Sequence, residues 1–198
     1  MSNNRSFYIM CFAVVINMIV ASTTWIVLPV YLKDRGATEM DVGGLMGVVT
    51  LTGALLALPF GEISDRVGRK PVILFSLLGY SLSWIIILFY RSIQWFYVSM
   101  IVRGPFILLT SAVTAFIADL FEPEKRGRML GIYQAVSGAG SIIGPVTSGL
   151  LIASFFYDGY FLFATITALV SLFFAFLIKE SKADVIRLGN YFKRLKGK

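Results

Sequence analysis

A single arginine lies inside a long segment that is otherwise uncharged. Arg103 is the only charged residue between Ser92 and Ala118. Placing an arginine at the centre of a membrane helix costs about 2.5–3.5 kcal/mol on insertion scales, so such a residue normally faces a polar cavity or a partner. No Asp or Glu lies in the interior of an apolar segment of this chain. We therefore predict that Arg103 meets a bound anion, a backbone carbonyl, water or another chain, with snorkelling to the headgroups as the alternative.

Polar side chains recur at helical spacing near Arg103 and in two other apolar segments. Thr110 and Thr114 follow Arg103 by seven and eleven positions, so a continuous α-helix places all three on one face. The first and fifth segments carry similar stripes, which contain Asn17, Thr24, Tyr133 and Ser137. We predict that these residues line an aqueous substrate cavity. The alternative is that Ser and Thr only bond to a neighbouring helix or to their own backbone.

The composition is that of a membrane protein. Hydrophobic residues make up 57% of the 198-residue chain and charged residues 15%, with a mean hydropathy of +0.79. A soluble domain is about 45–50% apolar and about 25% charged. One Cys and no His exclude a disulfide framework, the common zinc sites and histidine catalysis. Because the sequence also has no nucleophile–base pair or phosphate loop, we predict no enzyme activity, no metal and no cofactor.

Six apolar segments are long enough, at about 20 residues or more, to cross about 30 Å of hydrocarbon as helices. We predict an all-α fold, a polytopic bundle of six transmembrane helices over 1–178, followed by a tail over 179–198. The helices are expected near 7–32, 41–60, 71–90, 94–118, 129–154 and 159–178. The third and sixth are rich in Leu, Ile and Phe, and we expect them to face lipid.

Positive charge is distributed unevenly between the two ends of this bundle. Six crossings put both termini on one side, and that side holds 14 Lys and Arg residues against three on the other. The positive-inside rule therefore predicts that both termini are cytoplasmic, in a multi-pass protein of the cell membrane. The net charge of +7 then faces anionic headgroups, so we predict the lipid bilayer as a partner and no nucleic acid.

The tail, 179–198, is basic and has apolar residues at helical spacing, at Val185, Leu188, Phe192 and Leu195. This pattern is typical of a short amphipathic helix on the inner membrane surface. Gly189 weakens such a helix, and a frayed polar tail is the alternative.

Charged residues are concentrated between the second and third helices, where the chain reads GEISDRVGRK. Gly61 permits a close helix approach, and Gly68 permits a turn with positive φ. The string resembles the cytoplasmic loop signature of the major facilitator superfamily, Gly-x-x-x-Asp-(Arg/Lys)-x-Gly-(Arg/Lys)-(Arg/Lys). Every defined position matches, at Gly61, Asp65, Arg66, Gly68, Arg69 and Lys70.

The predicted fifth helix carries regularly spaced glycines and reads GIYQAVSGAGSIIGPVTSGLL. The spacing Gly-x8-Gly-x3-Gly-Pro-x3-Gly resembles the antiporter signature of the drug-efflux branch of the same superfamily. The matching residues are Gly131, Gly140, Gly144, Pro145 and Gly149, and Ser148 stands where that signature usually has a glycine. Gly140 and Gly144 are expected to let another helix approach closely, and Pro145 to bend its helix. Plain small-residue packing is the alternative.

The resemblance implies the N-terminal six-helix half of a transporter that usually has twelve or more helices. It implies secondary-active transport of a small molecule by alternating access, with efflux coupled to protons. It also implies that Arg69 pairs with Asp119, and that Asp65 contacts a second half. Arg103 matches an arginine of the family's fourth helix, although Ile107 stands where a glycine is expected.

Two kinds of protein satisfy these observations. In the first, a second six-helix half or another copy of the chain completes a transporter. In the second, the chain is a truncated or regulatory membrane subunit that has no transport activity of its own.

Overall fold

The computed structural model describes residues 2–178, and their side chains from residue 4 onward. It is built of helices: α1 (Ser2–Asp34), α2 (Glu39–Val67), α3 (Arg69–Phe89), α4 (Ile93–Arg103), a 3₁₀ segment (Gly104–Leu108), α5 (Leu109–Leu120) and α6 (Pro123–Phe176). No strand occurs among these residues, so the predicted all-α fold is confirmed. The basic tail predicted over 179–198 lies outside the described residues.

Five helices are long and apolar enough to cross a membrane: α1, α2, α3, the fourth span Ile93–Leu120, and α6. The last of these covers both the predicted fifth and sixth helices. A straight helix of 54 residues would measure about 81 Å, far more than the roughly 30 Å of a bilayer core. Phe156 interrupts it with non-helical angles (φ 57°, ψ −167°), which divide α6 into a first arm, 123–155, and a second arm, 157–176.

Both arms of α6 pack along α1, in opposite directions. In the first arm, Gly140 lies against Val15 and Gly144 against Ile19, so the numbering of the two helices rises together. In the second arm, Tyr160 bonds to Thr23, whereas Ser171 bonds to the carbonyl of Ala13. The chain therefore folds back at Phe156, and the five helices contain six segments of membrane-spanning length.

The helix ends follow local signals. Thr38 caps α2: its hydroxyl accepts from the Asp41 amide, while the Asp41 carboxylate accepts from the Thr38 amide, in a capping box. Only Gly68, with φ 121°, separates α2 from α3, as predicted for that glycine. The predicted loop 61–70 is otherwise helical, because α2 continues to Val67 instead of ending near Phe60.

The buried core forms two clusters along the bundle axis. One surrounds Phe7, Phe116 and Tyr133, near the end that carries the 61–70 segment, which we call the basic end. The other surrounds Leu28, Trp84 and Phe161, toward the opposite end. Large apolar residues stay exposed on α2 and on the first arm of α6, including Leu51, Leu55, Leu58, Ile142, Val146 and Leu150. These two helices therefore present apolar faces that the described bundle does not cover.

Candidate functional site

Arg103 is buried at the end of α4, with 5% of its surface exposed. Its Nη2 donates a 3.1 Å hydrogen bond to Thr24 Oγ1 on α1. Its guanidinium carbon lies 4.6 Å from the ring centroid of Tyr80 and 5.1 Å from that of Trp84, both on α3. Both distances fall within the cation–π range, so aromatic faces substitute for part of the lost hydration.

The second terminal nitrogen of Arg103, Nη1, is buried without a hydrogen-bond partner among the described residues. Arg103 also lines a cavity of about 250 Å³, whose other walls include Met18, Trp25, Val49 and Ile107. These walls are largely apolar. A buried polar group without a partner costs about 1–3 kcal/mol, and more when it is charged. Arg103 thus keeps one buried cationic donor unused, while other atoms of its side chain line a mostly apolar cavity.

Three further buried polar atoms of the bundle interior have no hydrogen-bond partner among the described residues: Tyr80 Oη and Trp84 Nε1, on the rings that contact Arg103, and Asn17 Oδ1. The amide nitrogen of Asn17 donates to Ser171 at 3.4 Å. Native proteins leave few buried polar groups unpaired, and such groups mark functional sites or unobserved water. Three such atoms, on Arg103, Tyr80 and Trp84, lie on side chains in mutual contact and identify this region as the candidate binding site.

Thr110 and Thr114 do not share the face of Arg103, in contrast to the predicted stripe. Arg103 is buried, whereas Thr110 is exposed. The 3₁₀ segment turns about 120° per residue where an α-helix turns about 100°, so its five residues rotate the following chain by about a further 100°. Pro105 lies in this segment and has no amide hydrogen to donate to an α-helical bond.

The remaining predicted cavity residues lie apart from Arg103. Tyr133 is buried in the cluster at the basic end. Thr114 donates to the carbonyls of Thr110 and Ser111, and Ser137 accepts through its carbonyl from Ser141. These contacts follow the alternative in which hydroxyls bond to their own backbone. Of the predicted set, only Thr24 and Arg103 are seen in contact, while Asn17 is buried elsewhere on α1 and donates to Ser171.

The third and sixth spans contribute more to this site than predicted. Tyr80 and Trp84 of α3 hold the guanidinium, and Tyr160 of the second arm bonds to Thr23 at 2.9 Å. The expectation that these spans face only lipid is therefore wrong for one face of each. The available signal was Tyr80 and Trp84 at i, i+4 spacing, which places two polar-tipped aromatic rings on one helix face.

A second polar site lies at the basic end and is centred on Arg69. Its Nε donates to Asp119 Oδ2 at 3.2 Å, and its Nη1 lies 2.7 Å from Asp65 Oδ1 and 3.0 Å from Ser64 Oγ. The Arg69–Asp119 pair joins α3 to α5, as the resemblance implied. Asp65, which was expected to need a second half, already contacts Arg69 while its side chain stays 69% exposed.

The other signature residues occupy the surface of the basic end. Arg66 pairs with Glu62 one turn earlier on α2. Lys70 is half-buried on the first turn of α3. Gly61 is exposed, and an added Cβ would meet no atom within 4 Å, so the predicted close helix approach does not occur there among the described residues.

The glycines of α6 differ in how much space surrounds them. A Cβ added at Gly140 would lie 2.8 Å from the carbonyl oxygen of Val15, and one at Gly144 would overlap the carbonyl of Ile19. At Gly131 and Gly149 a Cβ would meet nothing within 4 Å. Two of the four glycines therefore allow α1 to approach. Pro145 lies within α6, and the non-helical angles in this helix are at Phe156, not at the proline.

The fold and the site together define a polytopic helical membrane protein with a buried cation beside a cavity. The model of the Major Facilitator Superfamily matches residues 10–192, so the chain belongs to this family. The family comprises transporters, which confirms the prediction that the chain is not an enzyme.

Two proteins with similar sequences are, by name, drug-resistance proteins. The chain is 30% identical over 184 residues to tetracycline resistance protein class C of Escherichia coli, covering 91% of this chain and 46% of that protein. It is 34% identical over 158 residues to multidrug resistance protein 2 of Bacillus subtilis, covering 78% of this chain and 39% of the relative. The chain thus spans less than half the length of these relatives.

A solved structure supports the fold. The crystal structure of the human organic anion transporter MFSD10 superposes with a TM-score of 0.75 at 23% identity. The match covers 90% of this chain and 48% of the other.

Proposed function

We propose that this chain is one half of an efflux transporter, which moves a small molecule across the cell membrane by alternating access. The observation that carries the proposal is Arg103, a buried cation with an unused donor beside a cavity between α1, α2 and the fourth span. Because Nη1 has almost no exposed surface in this conformation, a substrate in the cavity would supply the missing acceptor after a change of the Arg103 side-chain rotamer. The similarity to tetracycline and multidrug resistance proteins supports export as the direction.

The second half is supplied by another six-helix chain or by a second copy of this one. The exposed apolar faces of α2 and of the first arm of α6 support such a partner. Gly131 and Gly149 have open space on these surfaces, which leaves room for a close helix approach. A partner there would close the Arg103 cavity from the side that the described bundle leaves open.

The Arg69 site is proposed to act as a gate at the cytoplasmic end, where both termini lie. Arg69 bridges α2, α3 and α5 through Asp65, Ser64 and Asp119. Because Asp65 is mostly exposed, it retains acceptor capacity for a donor on the partner half. Closing and opening this contact would alternate with the opening of the other end.

Coupling to protons is part of the proposal, with the acid supplied by the partner half. The polar groups that contact Arg103 or lie near it are hydroxyl, amide and aromatic groups, which do not exchange protons near neutral pH. A carboxylate of the second half would complete the relay.

Cysteine labelling tests alternating access without knowledge of the substrate. Ile107 is exposed and lines the Arg103 cavity, so Ile107→Cys in a Cys11→Ser background reports on its access. We expect an impermeant maleimide to label it from either side of the membrane. Glu62→Cys, at the exposed basic end, is the matched control and should react only from the cytoplasm.

Labelling of Ile107→Cys from one side alone would contradict alternating access and favour the subunit without transport activity. A Glu62→Cys variant that reacts from outside intact cells would instead reverse the proposed orientation.

A further inference from the structure

The exposed faces of α2 and of the first arm of α6 resemble each other in composition. Leu58 on α2 is 86% exposed, and Ile142 on α6 is 77% exposed. Large apolar residues alone do not indicate a protein partner, because lipid tails cover them equally well. Each of these faces also carries a charged residue at its basic end and glycines that have open space around them, which lipid tails do not explain.

The charged residues of the two faces have opposite sign and lie at the same end of the bundle. Asp65 lies near the end of α2, and its side chain is 69% exposed although it contacts Arg69. Arg128 is exposed near the start of α6 and makes no ion pair among the described residues. Asp65 follows Gly61 by four residues, and Arg128 precedes Gly131 by three. Each charge therefore lies on the same face as a glycine, about one turn nearer the basic end.

Two pairs of glycines have the same spacing on the two faces. Gly43 and Gly61 lie 18 residues apart on α2, and Gly131 and Gly149 lie 18 residues apart on α6. This spacing is about five turns, or about 27 Å, so the glycines of each pair lie on one side of their helix. A Cβ added at any of the four would meet no described atom within 4 Å. Each face therefore permits a close helix approach at two points that are equally far apart.

A second copy of the chain would present the same two faces in a matching arrangement. Both copies insert with the same orientation, because the charges that set the orientation are the same. The helix α2 runs toward the basic end, whereas the first arm of α6 runs away from it. A two-fold axis along the membrane normal therefore places α2 of one copy antiparallel to that arm of the other, twice. When Gly61 lies opposite Gly131, Gly43 lies opposite Gly149.

Charge distinguishes this arrangement from the other symmetric contacts. If α2 packed against α2 of the second copy, two Asp65 carboxylates would meet. If the first arms of α6 packed against each other, two Arg128 side chains would meet. Like charges across an interface are unfavourable, whereas the contact of α2 with α6 brings Asp65 of one copy near Arg128 of the other. The two faces are thus complementary to each other and not to themselves.

We propose, on the basis of the transport function inferred above, that the second half is a second copy of this chain. A two-fold axis along the membrane normal relates the copies, and α2 of each packs against the first arm of α6 of the other. Asp65 and Arg128 pair at both contacts. The carboxylate required for proton coupling then lies at a helix end, as Asp65 does, because the interior of no apolar segment contains one.

The pairing also accounts for the open side of the Arg103 cavity. Val49 of α2 lines this cavity, and so does Ser22 of α1, which lies beside Gly144 of the first arm of α6. The cavity therefore lies between the two faces that the second copy covers. In the dimer, two Arg103 cavities face each other across the two-fold axis, so the substrate path is symmetric.

Disulfide cross-linking between two differently tagged copies tests the pairing in native membranes. One copy carries Leu58→Cys and the other Ala135→Cys, both in a Cys11→Ser background. These positions lie about one turn from the glycine pair at the basic end. Phe173→Cys, exposed on the second arm of α6, replaces Ala135→Cys in the control. We expect a yield at least about fivefold above this control, because a disulfide requires Cα atoms about 4.4–6.8 Å apart.

A charge exchange tests the contact between Asp65 and Arg128. One tagged copy carries Asp65→Arg and the other Arg128→Asp. Each variant paired with itself places like charges at both contacts, whereas the mixed pair has opposite charges at both. We expect the ratio of mixed dimers to self-dimers to exceed that of random mixing at least about threefold, counted by two-colour single-molecule imaging. A folding defect in either variant lowers the number of dimers but does not favour the mixed ones.

The outcomes separate this proposal from the transport function on which it rests. A cross-link no stronger than the control, with Ile107→Cys still labelled from both sides, would overturn the second copy and assign the faces to a different chain. The same result with one-sided labelling would overturn both and leave the faces to lipid. A strong cross-link with one-sided labelling would support the pair and contradict transport. Random mixing of the charge variants would overturn the contact between Asp65 and Arg128.

Discussion

Arg69 and Arg103 are the same residue type in contrasting surroundings. Arg69 contacts two carboxylates and a serine hydroxyl on neighbouring helix ends. Arg103 bonds to one threonine and lies against aromatic rings, and its Nη1 has no hydrogen-bond partner within residues 2–178. A paired arginine such as Arg69 joins helices, whereas we propose that a buried arginine with an unused donor, such as Arg103, is retained for a ligand. Their substitution should therefore affect stability in opposite ways.

The largest expected effect on stability is at Arg69. Arg69→Gln leaves Asp119, whose side chain is 19% exposed, facing a neutral group. We expect a loss of about 1–3 kcal/mol in the free energy of unfolding, between the values for surface and buried ion pairs. Unfolding by SDS titration from mixed micelles measures it. Arg66→Gln removes an exposed pair and should cost less than about 0.5 kcal/mol.

Equal losses for Arg69→Gln and Arg66→Gln would break the comparison. The double variant Arg69→Asp with Asp119→Arg should recover part of the stability. Recovery stays partial because Asp65 would then face the new carboxylate at position 69. No recovery at all would argue against a direct Arg69–Asp119 pair.

An effect of intermediate size is expected where α1 meets α6 beside the Arg103 cavity. Gly144→Ala places a methyl group against the Ile19 carbonyl and against Ser22, which also lines that cavity. Overpacking of this kind costs about 1–3 kcal/mol, and we expect the loss in the free energy of unfolding to lie near the lower end, about 1 kcal/mol, because the Ser22 side chain is able to move aside. Gly149→Ala is the matched control in the same helix, since its methyl group meets open space. It should be neutral or raise stability by up to about 1 kcal/mol.

The two alanine variants are compared by the same unfolding titration. Similar losses for both would show that helix packing does not distinguish these glycines. A loss confined to Gly144→Ala would support α1 and α6 as the fixed wall of the cavity.

The smallest effect on stability is expected at Arg103, together with a large effect on export. Arg103→Met replaces an incompletely paired buried cation with an apolar chain of similar length. Such replacements are often neutral or stabilising. We therefore expect the free energy of unfolding to rise by between zero and about 1 kcal/mol. Export by cells that carry the complete transporter should fall at least about tenfold, measured with a drug that the unaltered protein is first found to export. Full export with Arg103→Met would contradict the cavity proposal, and a large loss of stability would show that Arg103 is structural.

Some of these features were available from the sequence because they depend on local chemistry. Arg103 stands out as a candidate functional residue because it is the one charged residue in a long apolar segment. The positive φ of Gly68 follows from the conformational freedom of glycine in a short connection. The Arg69–Asp119 contact, between residues 50 positions apart, was accessible only through the family resemblance.

Other features were not available from the sequence because several helix faces satisfy the same pattern. The prediction that Thr110 shares a face with Arg103 required a continuous α-helix. The 3₁₀ segment that contains Pro105 instead rotates Thr110 away from that face. The third span was expected as a whole to face lipid, since aromatic rings such as those of Tyr80 and Trp84 are stable against lipid tails and against protein.

The sequence by itself determined which segments cross the membrane, because hydrophobic length and charge are properties of each segment alone. Only the tertiary structure decided which face of each helix turns inward, how α6 folds back at Phe156, and which groups surround Arg103. The physical reason is that lipid tails are as apolar as leucine side chains, so hydrophobicity does not select between them. Close backbone contacts and interhelical hydrogen bonds make that selection, and they exist only after the helices have met.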